Sequence, residues 1–460
     1  MHFAEDGRAR RSLMRIGYAL LLFAGTAAAA QAQIGQLTQV DQLAQVGTVG
    51  GIGGPSIAPP PVATDRPDVF ARPGRVEHAL IVDDWLIYPS AFGGMLYDSN
   101  VNQASVGARS SAGLRLVPSF LADTNNGISK TTLYGTVDGR LYTDQSAGSS
   151  DALAVRSGVT ETYQPLPDLR FTGQGDYTRQ KDLFGTLGVT NGLATLNTTG
   201  IGLSPTTNPQ SYDQISGSAS VQKNFAGAFA ILSGSVVDQM YDHSSGAVAP
   251  SPSGPTYTGT SRGGIWITPA LYGYFEGSLD RRDYSINALS SSGYRTVVGL
   301  GTDQIGLLKG EVYGGFQSET YQSSGIGTTN SPSFGGRLTY YPLPELTMNF
   351  SADQSLGATL LATTPTSPSG TSTKVTSVLE TASYSIAPEW AANERAGYIH
   401  TDYTGNVRRD DAWTFGGTLS YTFWQNLALT FDYQHVELSS NVALQSFSRD
   451  VVTLGVTYNY

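Results

Sequence analysis

The sequence predicts an all-β chain that closes as a transmembrane antiparallel β-barrel of about 18 strands, with 16 as the alternative count. Three observations carry this. The chain starts with an export-type segment, apolar and polar residues alternate with a period of two as far as the last residue, and short and long connections take turns along the chain. Composition agrees. Only 14% of residues are charged, against about a quarter in ordinary globular domains. Glycine (54) and tyrosine (25) are abundant among 460 residues, which suits a thin closed wall better than a solid core. Cysteine is absent, so disulfides, thiolate metal sites and cysteine nucleophiles are excluded.

Residues 1–32 have the layout of a signal peptide. Arg8, Arg10, Arg11 and Arg15 precede the apolar run Ile16–Ala30, and Ala30-Gln31-Ala32 fits a small-x-small cleavage site, with cleavage after Ala30 as the rival. The run is short for a membrane-spanning helix. Removing it takes away four basic residues and two acidic ones, Glu5 and Asp6, leaving 23 basic and 35 acidic residues and a net charge of −12. That balance argues against nucleic acid as a partner. Export and a barrel together place the protein in the outer membrane of a Gram-negative cell, surrounded by outer-membrane lipid and lipopolysaccharide.

Residues 33–85 read as a Gln/Gly/Pro-rich periplasmic leader, largely disordered, with a plug in the lumen as the weaker alternative. Gly50–Gly54 and Pro59-Pro60-Pro61 break regular structure there. From residue 86 to 460 the pattern is that of the barrel. The final strand shows it best: Val452, Leu454, Val456, Tyr458 and Tyr460 share one face, and Thr453, Gly455, Thr457 and Asn459 the other. Trp413, Phe415, Leu419, Tyr421 and Phe423 alternate with hydroxyls and glycine in the same way, as do Leu427, Leu429, Phe431 and Tyr433. The expected strands are 88–98, 104–117, 129–143, 152–163, 168–180, 210–222, 225–240, 257–268, 271–284, 293–303, 306–318, 331–341, 344–354, 373–385, 388–402, 411–422, 426–438 and 448–459.

Short turns such as Lys223-Asn224 and Pro342-Leu343-Pro344 are expected at the periplasmic rim. The polar connections 181–209, 241–256, 285–292, 319–330, 355–372, 403–410 and 439–447 are expected outside. Pro89, Pro118, Pro165, Pro167, Pro269, Pro342, Pro344 and Pro388 fall at strand edges. Trp266, Trp390, Trp413, Trp424 and Tyr340-Tyr341 mark strand ends at headgroup level. A soluble sandwich would also alternate, but a polar face that is often small or hydroxylated, with mid-strand charges that a hydrated lumen can hold paired across strands, and aromatics at the strand ends favour a membrane barrel. On this register Asp138, Arg140, Arg170, Asp176, Glu276, Asp280, Lys309, Glu311, Arg337, Arg395 and Asp432 line the lumen, with Tyr134, Tyr142, Tyr272, Tyr274 and Tyr313. A pore selects by the size and charge of its lining. The mixed signs predict a balanced lining for small polar solutes or saccharides, and the tyrosines are either a sliding surface for sugar rings or packing of the interior.

From Leu86 to Tyr460 the chain resembles the putative beta-barrel porin type 2 family of Gram-negative outer-membrane proteins. The resemblance rests on YPSAFGGMLYDSNVN with Tyr97, Asp98 and Asn100, on SVGARSSAGLRLVPS, and on Tyr433 with the closing FSRDVVTLGVTYNY. It implies a pore-like barrel of loosely defined substrate, with relatives near exopolysaccharide secretion loci, so the chain is read as a porin or as the outer channel of a polysaccharide export system. Tyr458 and Tyr460 resemble the terminal signal read by the outer-membrane assembly machinery. The leader 33–85 lies outside the family pattern and offers a contact for periplasmic or polysaccharide-export proteins. The alternative is a non-conducting structural or adhesive barrel that acts through its loops.

An enzyme is disfavoured. His400 with Asp402, and His435 with Glu437, could serve an outer-membrane hydrolase, but acyl transfer needs a nucleophile, a base and an orienter in contact, and spacing does not supply these. His78 and His243 are the other histidines left after signal removal. Asp83-Asp84 and Asp410-Asp411 beside Arg408-Arg409 lack the oxygen spacing of a calcium loop. No metal or cofactor is expected.

Overall fold

The computed structural model describes residues 79–460, apart from 144–151, 182–186, 191–192, 197–210, 243–252, 363–367 and the single positions 324, 406 and 444. The signal segment and the leader as far as residue 78 lie outside the described residues. Eighteen long strands follow one another: β1 Trp85–Asp98, β2 Ser111–Asn125, β3 Ser129–Tyr142, β4 Ala152–Leu166, β5 Leu169–Lys181, β6 Ser211–Phe225, β7 Ala228–Tyr241, β8 Gly254–Trp266 and β9 Leu271–Arg282 make the first half. The second half is β10 Ser291–Ile305, β11 Leu308–Tyr321, β12 Thr328–Leu343, β13 Leu346–Ala362, β14 Pro368–Ala387, β15 Trp390–Tyr403, β16 Arg409–Trp424, β17 Leu427–Ser440 and β18 Phe447–Asn459. Each pairs antiparallel with the next, and β1 pairs with β18 from Ser90↔Asn459 to Asp98↔Val451, so the sheet has no free edge.

Connections at the inner rim have two to four residues, and those at the outer rim run from five to 29. The two classes alternate as the sequence predicts. Before β1, Leu80–Val82 folds back onto Trp85–Ile87 through Asp83-Asp84, with Asp83 at φ +50°. At another inner turn the Lys223 ammonium bonded to Asp168 holds that carboxyl below its usual range.

The register separates two faces. Outward positions are apolar and exposed, such as Leu232 (60%), Leu279 (70%) and Val298 (63%). Their neighbours along the strands point inward and are polar, aromatic or, in two clusters, aliphatic. Outward carboxylates also occur within the strands, among them Glu380 and Glu394, set among Ala382 and Ala396.

Four expectations need correction. The second strand starts at Ser111 rather than 104, because Asn100 pins the preceding segment as a loop: its side-chain amide donates to the Ala104 and Ser448 carbonyls (3.0 and 2.9 Å). Pro118 therefore falls in mid-strand. The β2–β3 ladder is interrupted between Leu116↔Gly139 and Ser119↔Thr136, so its missing N–H costs no bond there. Trp266 points inward rather than to headgroups, packed on Phe229 and Tyr272 at centroid distances of 6.1 and 5.1 Å. The loop expected over 355–372 is mostly strand, paired from Leu356↔Lys374 to Ala362↔Pro368.

The seam between first and last strands is tied by buried groups. Asp98 is fully buried and accepts from the Arg449 guanidinium, with Nε at 3.1 Å, and from the Tyr142 hydroxyl at 3.0 Å. The Asn100 side chain binds the strand-18 backbone just beyond, at Ser448. Arg449→Ala would leave a buried carboxylate unpaired, at a cost of about 3–5 kcal/mol. The temperature needed to convert the folded, fast-migrating gel form should drop clearly, whereas Arg281→Ala, at an exposed exterior site, should leave it unchanged.

Close strand contact also fixes one glycine. A Cβ at Gly315 would overlap the Thr296 carbonyl of the neighbouring backbone. Gly315→Ala should therefore reduce the yield of folded barrel, read as the heat-modifiable fraction after refolding, far more than alanine at Gly314, where the space is open.

Candidate functional site

The lumen is the concave surface of this fold. All eleven charged residues assigned to it from the sequence occupy inward register positions, but most are engaged with partners on other strands that the sequence does not reveal. Asp138 takes two bonds from Arg115 (both 3.0 Å) and three from Arg140, the shortest 2.9 Å. Asp176 lies 3.6 Å from Arg156. Arg262 sits between Glu276 (2.6 Å) and Glu311 (2.9 Å), all three nearly fully buried, with the Tyr274 ring 4.2 Å away. Asp280 meets Arg282 at 3.3 Å, and Arg282 also reaches Glu319. Arg395 binds Asp432 at 2.7 Å, and the Thr418 hydroxyl donates to the same carboxylate. Arg337 stands opposite Glu311 in the β11–β12 ladder. Arg170 donates to the Gln164 amide oxygen at 3.3 Å. Lys309 lies one step from the inner rim on β11.

The five tyrosines also point inward, but their rings lie along the wall. Tyr272 covers Gly301, Tyr274 covers Gly299, Tyr313 covers Gly335 and Tyr134 covers Gly158; at each glycine an added methyl would strike the ring. Tyr142 is spent on Asp98. Tyr272 is 3% exposed and Tyr274 6%, which leaves little ring surface for a passing sugar. Phe229, Ile231, Tyr272, Tyr274, Val297 and Tyr313 make one apolar cluster. Leu379, Ile399, Val436, Leu438 and Phe447 make a second, nearer the outer rim.

The outer mouth is narrowed from within. Above Gly335↔Asp353 the ladder between β12 and β13 ends, while β13 and β14 stay paired with each other. Their hairpin packs on inward side chains of β11 and β12. Gln317 donates to the Gln354 carbonyl (3.2 Å), Tyr321 to the Gly357 carbonyl (2.6 Å), and Thr329 to the Ser372 hydroxyl (2.8 Å). Gln317, Tyr321 and Thr329 face the lumen, so the hairpin lies over the inside of the wall. A short hairpin, Leu187–Thr190 with Leu193–Leu196, belongs to the connection after β5, and its second strand comes close to β14, half a turn around the barrel.

The histidine pairs lie elsewhere. His400 points outward near the outer rim, its Nδ1 2.8 Å from Asp411 and its Nε2 3.3 Å from Asp402. His435 repeats this with Asp450 at 2.8 Å, and Glu437 shares its outward face. In both cases a tyrosine two residues earlier, Tyr398 or Tyr433, donates to the same aspartate. Tyr177, Arg179 and Asp213 build the same unit on β5 and β6. No serine or threonine hydroxyl is bonded to either ring among the described residues. Asp410 is bound by Arg408 and Tyr403. Among the described residues, no group of three or more histidines and carboxylates is arranged to hold a metal. Tyr458 is on the outward face, while Tyr460 lies past the last strand, buried, its N–H donating to the Pro89 carbonyl.

A closed strand ring with an apolar exterior and a polar interior is the build of a membrane barrel, and the model of the family described as "Putative beta-barrel porin 2" matches residues 81–460. The chain belongs to this family. This porin-family barrel matches no curated protein. Among solved structures it is similar to OccAB4 of Acinetobacter baumannii, with 9% identity, a TM-score of 0.40, and 81% of this chain and 98% of that chain covered. It is also similar to the anion-selective porin of Comamonas acidovorans, with 11% identity, a TM-score of 0.33, and coverage of 82% and 99%. A mutant ferric enterobactin receptor of Pseudomonas aeruginosa aligns at 7% identity and a TM-score of 0.37, over 81% and 80% of the two chains.

Proposed function

We propose that this porin-family barrel is a channel that passes small polar solutes, saccharides among them, across the outer membrane. The observation that carries this reading is the set of accessible hydroxyls and amides on the inside of a closed wall. Ser119, Thr136, Ser235, Asn349, Ser351, Ser377, Ser383 and Asn393 all face inward and are partly accessible. Hydroxyls and amides can replace solute hydration without fixing the solute in place. The narrowed mouth gives such a channel a size limit. The tyrosines act as wall packing, laid against glycines, and not as a sliding track.

Purified protein in planar bilayers should give discrete conductance steps. Replacing residues 357–373 by an Asn-Gly turn joins Leu356 to its cross-strand partner Lys374, and should raise the step about twofold or more. Folded, inserted protein with no steps in either form would contradict the channel and favour a closed barrel that works through its outer connections.

A further inference from the structure

The charges of the lumen balance as a whole but not locally. On the inner face of β2–β5, four guanidinium groups, those of Arg115, Arg140, Arg156 and Arg170, meet two carboxylates, Asp138 and Asp176. Lys130 and Asp123, nearer the inner rim, offset each other. Across β8–β11 the two signs balance: Glu276, Asp280, Glu311 and Glu319 stand against Arg262, Arg282, Arg295 and Lys309.

Accessibility separates the two walls further. The Arg262 and Arg282 side chains are 2% and 5% exposed, closed into their ion pairs. Those of Arg115, Arg140 and Arg156 are 25%, 21% and 23% exposed. On β2–β5 the charge that a solute meets is therefore mainly that of the arginines, while Asp280 and Asp353 keep 21% and 37% exposure elsewhere in the lumen.

The local geometry is not that of simple pairing. Arg115 and Arg140 are directly opposite each other in the ladder, an arrangement in which like charges repel. They share the one Asp138 carboxylate, which leaves a net positive charge. Arg156 lies four residues further down β4 than Ala152, the partner of Arg140, and its guanidinium rests over the Tyr134 ring at 5.3 Å. Arg170 stands nearer the inner rim with an amide as its acceptor, and its Nε is buried without a partner. The result is a file of cations that starts at Arg170, one residue inside the inner end of β5, and ends at Arg140, two residues short of the outer end of β3. Arginine forks bind carboxylates through paired, charge-assisted bonds.

We propose that the inner face of β2–β5 is a binding surface for carboxylate-bearing solutes, such as small organic acids or acidic sugars, and that it makes the channel anion-preferring. This rests on the channel reading and names the class of solute that it favours. A carboxylate exchanges its water for Arg156 and the exposed edge of the Arg115–Asp138–Arg140 group, with Arg170 as the next station towards the inner rim.

The test is the reversal potential of the full barrel in planar bilayers under a potassium chloride gradient, with potassium gluconate added as the carboxylate probe. Wild-type protein should favour chloride over potassium, and gluconate should reduce the chloride current. In R115Q/R170Q, Asp138 keeps Arg140 and no carboxylate loses its last cation, so the barrel should still fold and give steps. Its chloride preference should fall about twofold or more, with weaker gluconate block. Arg281→Gln, on the exterior, should match wild type. Normal steps with no anion preference, or a preference unchanged in R115Q/R170Q, would overturn the arginine-wall proposal and leave the channel intact. Folded protein without steps would overturn both.

Discussion

Everything in this molecule follows from the cost of a free strand edge in hydrocarbon. A backbone N–H or C=O with no partner there costs several kcal/mol, so the first strand must find the last across some 360 residues of intervening chain. The ladder from Ser90↔Asn459 to Asp98↔Val451 supplies the backbone bonds, and the buried Asp98–Arg449–Tyr142 group fixes which residues meet. Register matters because a slip of one residue would turn every inward side chain into the lipid.

Once the ring is closed, the inner face is solved locally. Rings need room, and glycine on the next strand provides it, as where Tyr274 lies on Gly299. Charges need partners, and the neighbouring strands provide these in unequal measure. On β8–β11 the ion pairs are buried and act as part of the wall. On β2–β5 they remain open to the lumen and carry an excess of one sign. The wall thus serves both as scaffold and as selective surface, and the β13–β14 hairpin adds a constriction made from the same sheet.

Much of this was legible in the sequence because period-two alternation is a local property. Leu454, Val456 and Tyr458 identify the outer face of β18 without any knowledge of its neighbours. Partners across strands are not local. Nothing near Arg262 in the chain announces Glu311, 49 residues away, so the candidate site was seen as a list of charges and not as pairs. The errors have the same origin. The start of β2 is misplaced by local pattern because the segment before it is held by Asn100 contacts to Ser448, far along the chain. Trp266 reads as a headgroup residue because its inward partners Phe229 and Tyr272 come from flanking strands. The segment 355–372 reads as a loop because serine, threonine and glycine hide a ladder that only the paired strand completes.

The claim on which all this stands is that one side of each strand meets lipid and the other meets water. The chain has no cysteine, so single cysteines can be placed along β14 and probed in proteoliposomes. Ser377→Cys, Thr381→Cys and Ser383→Cys should react with a charged, water-soluble thiol reagent. Val378→Cys, Ala382→Cys and Ile386→Cys should resist it and instead have an attached fluorophore quenched by lipid-borne spin labels. Uniform labelling along the strand, with no two-residue rhythm, would contradict the barrel and everything built on its lumen.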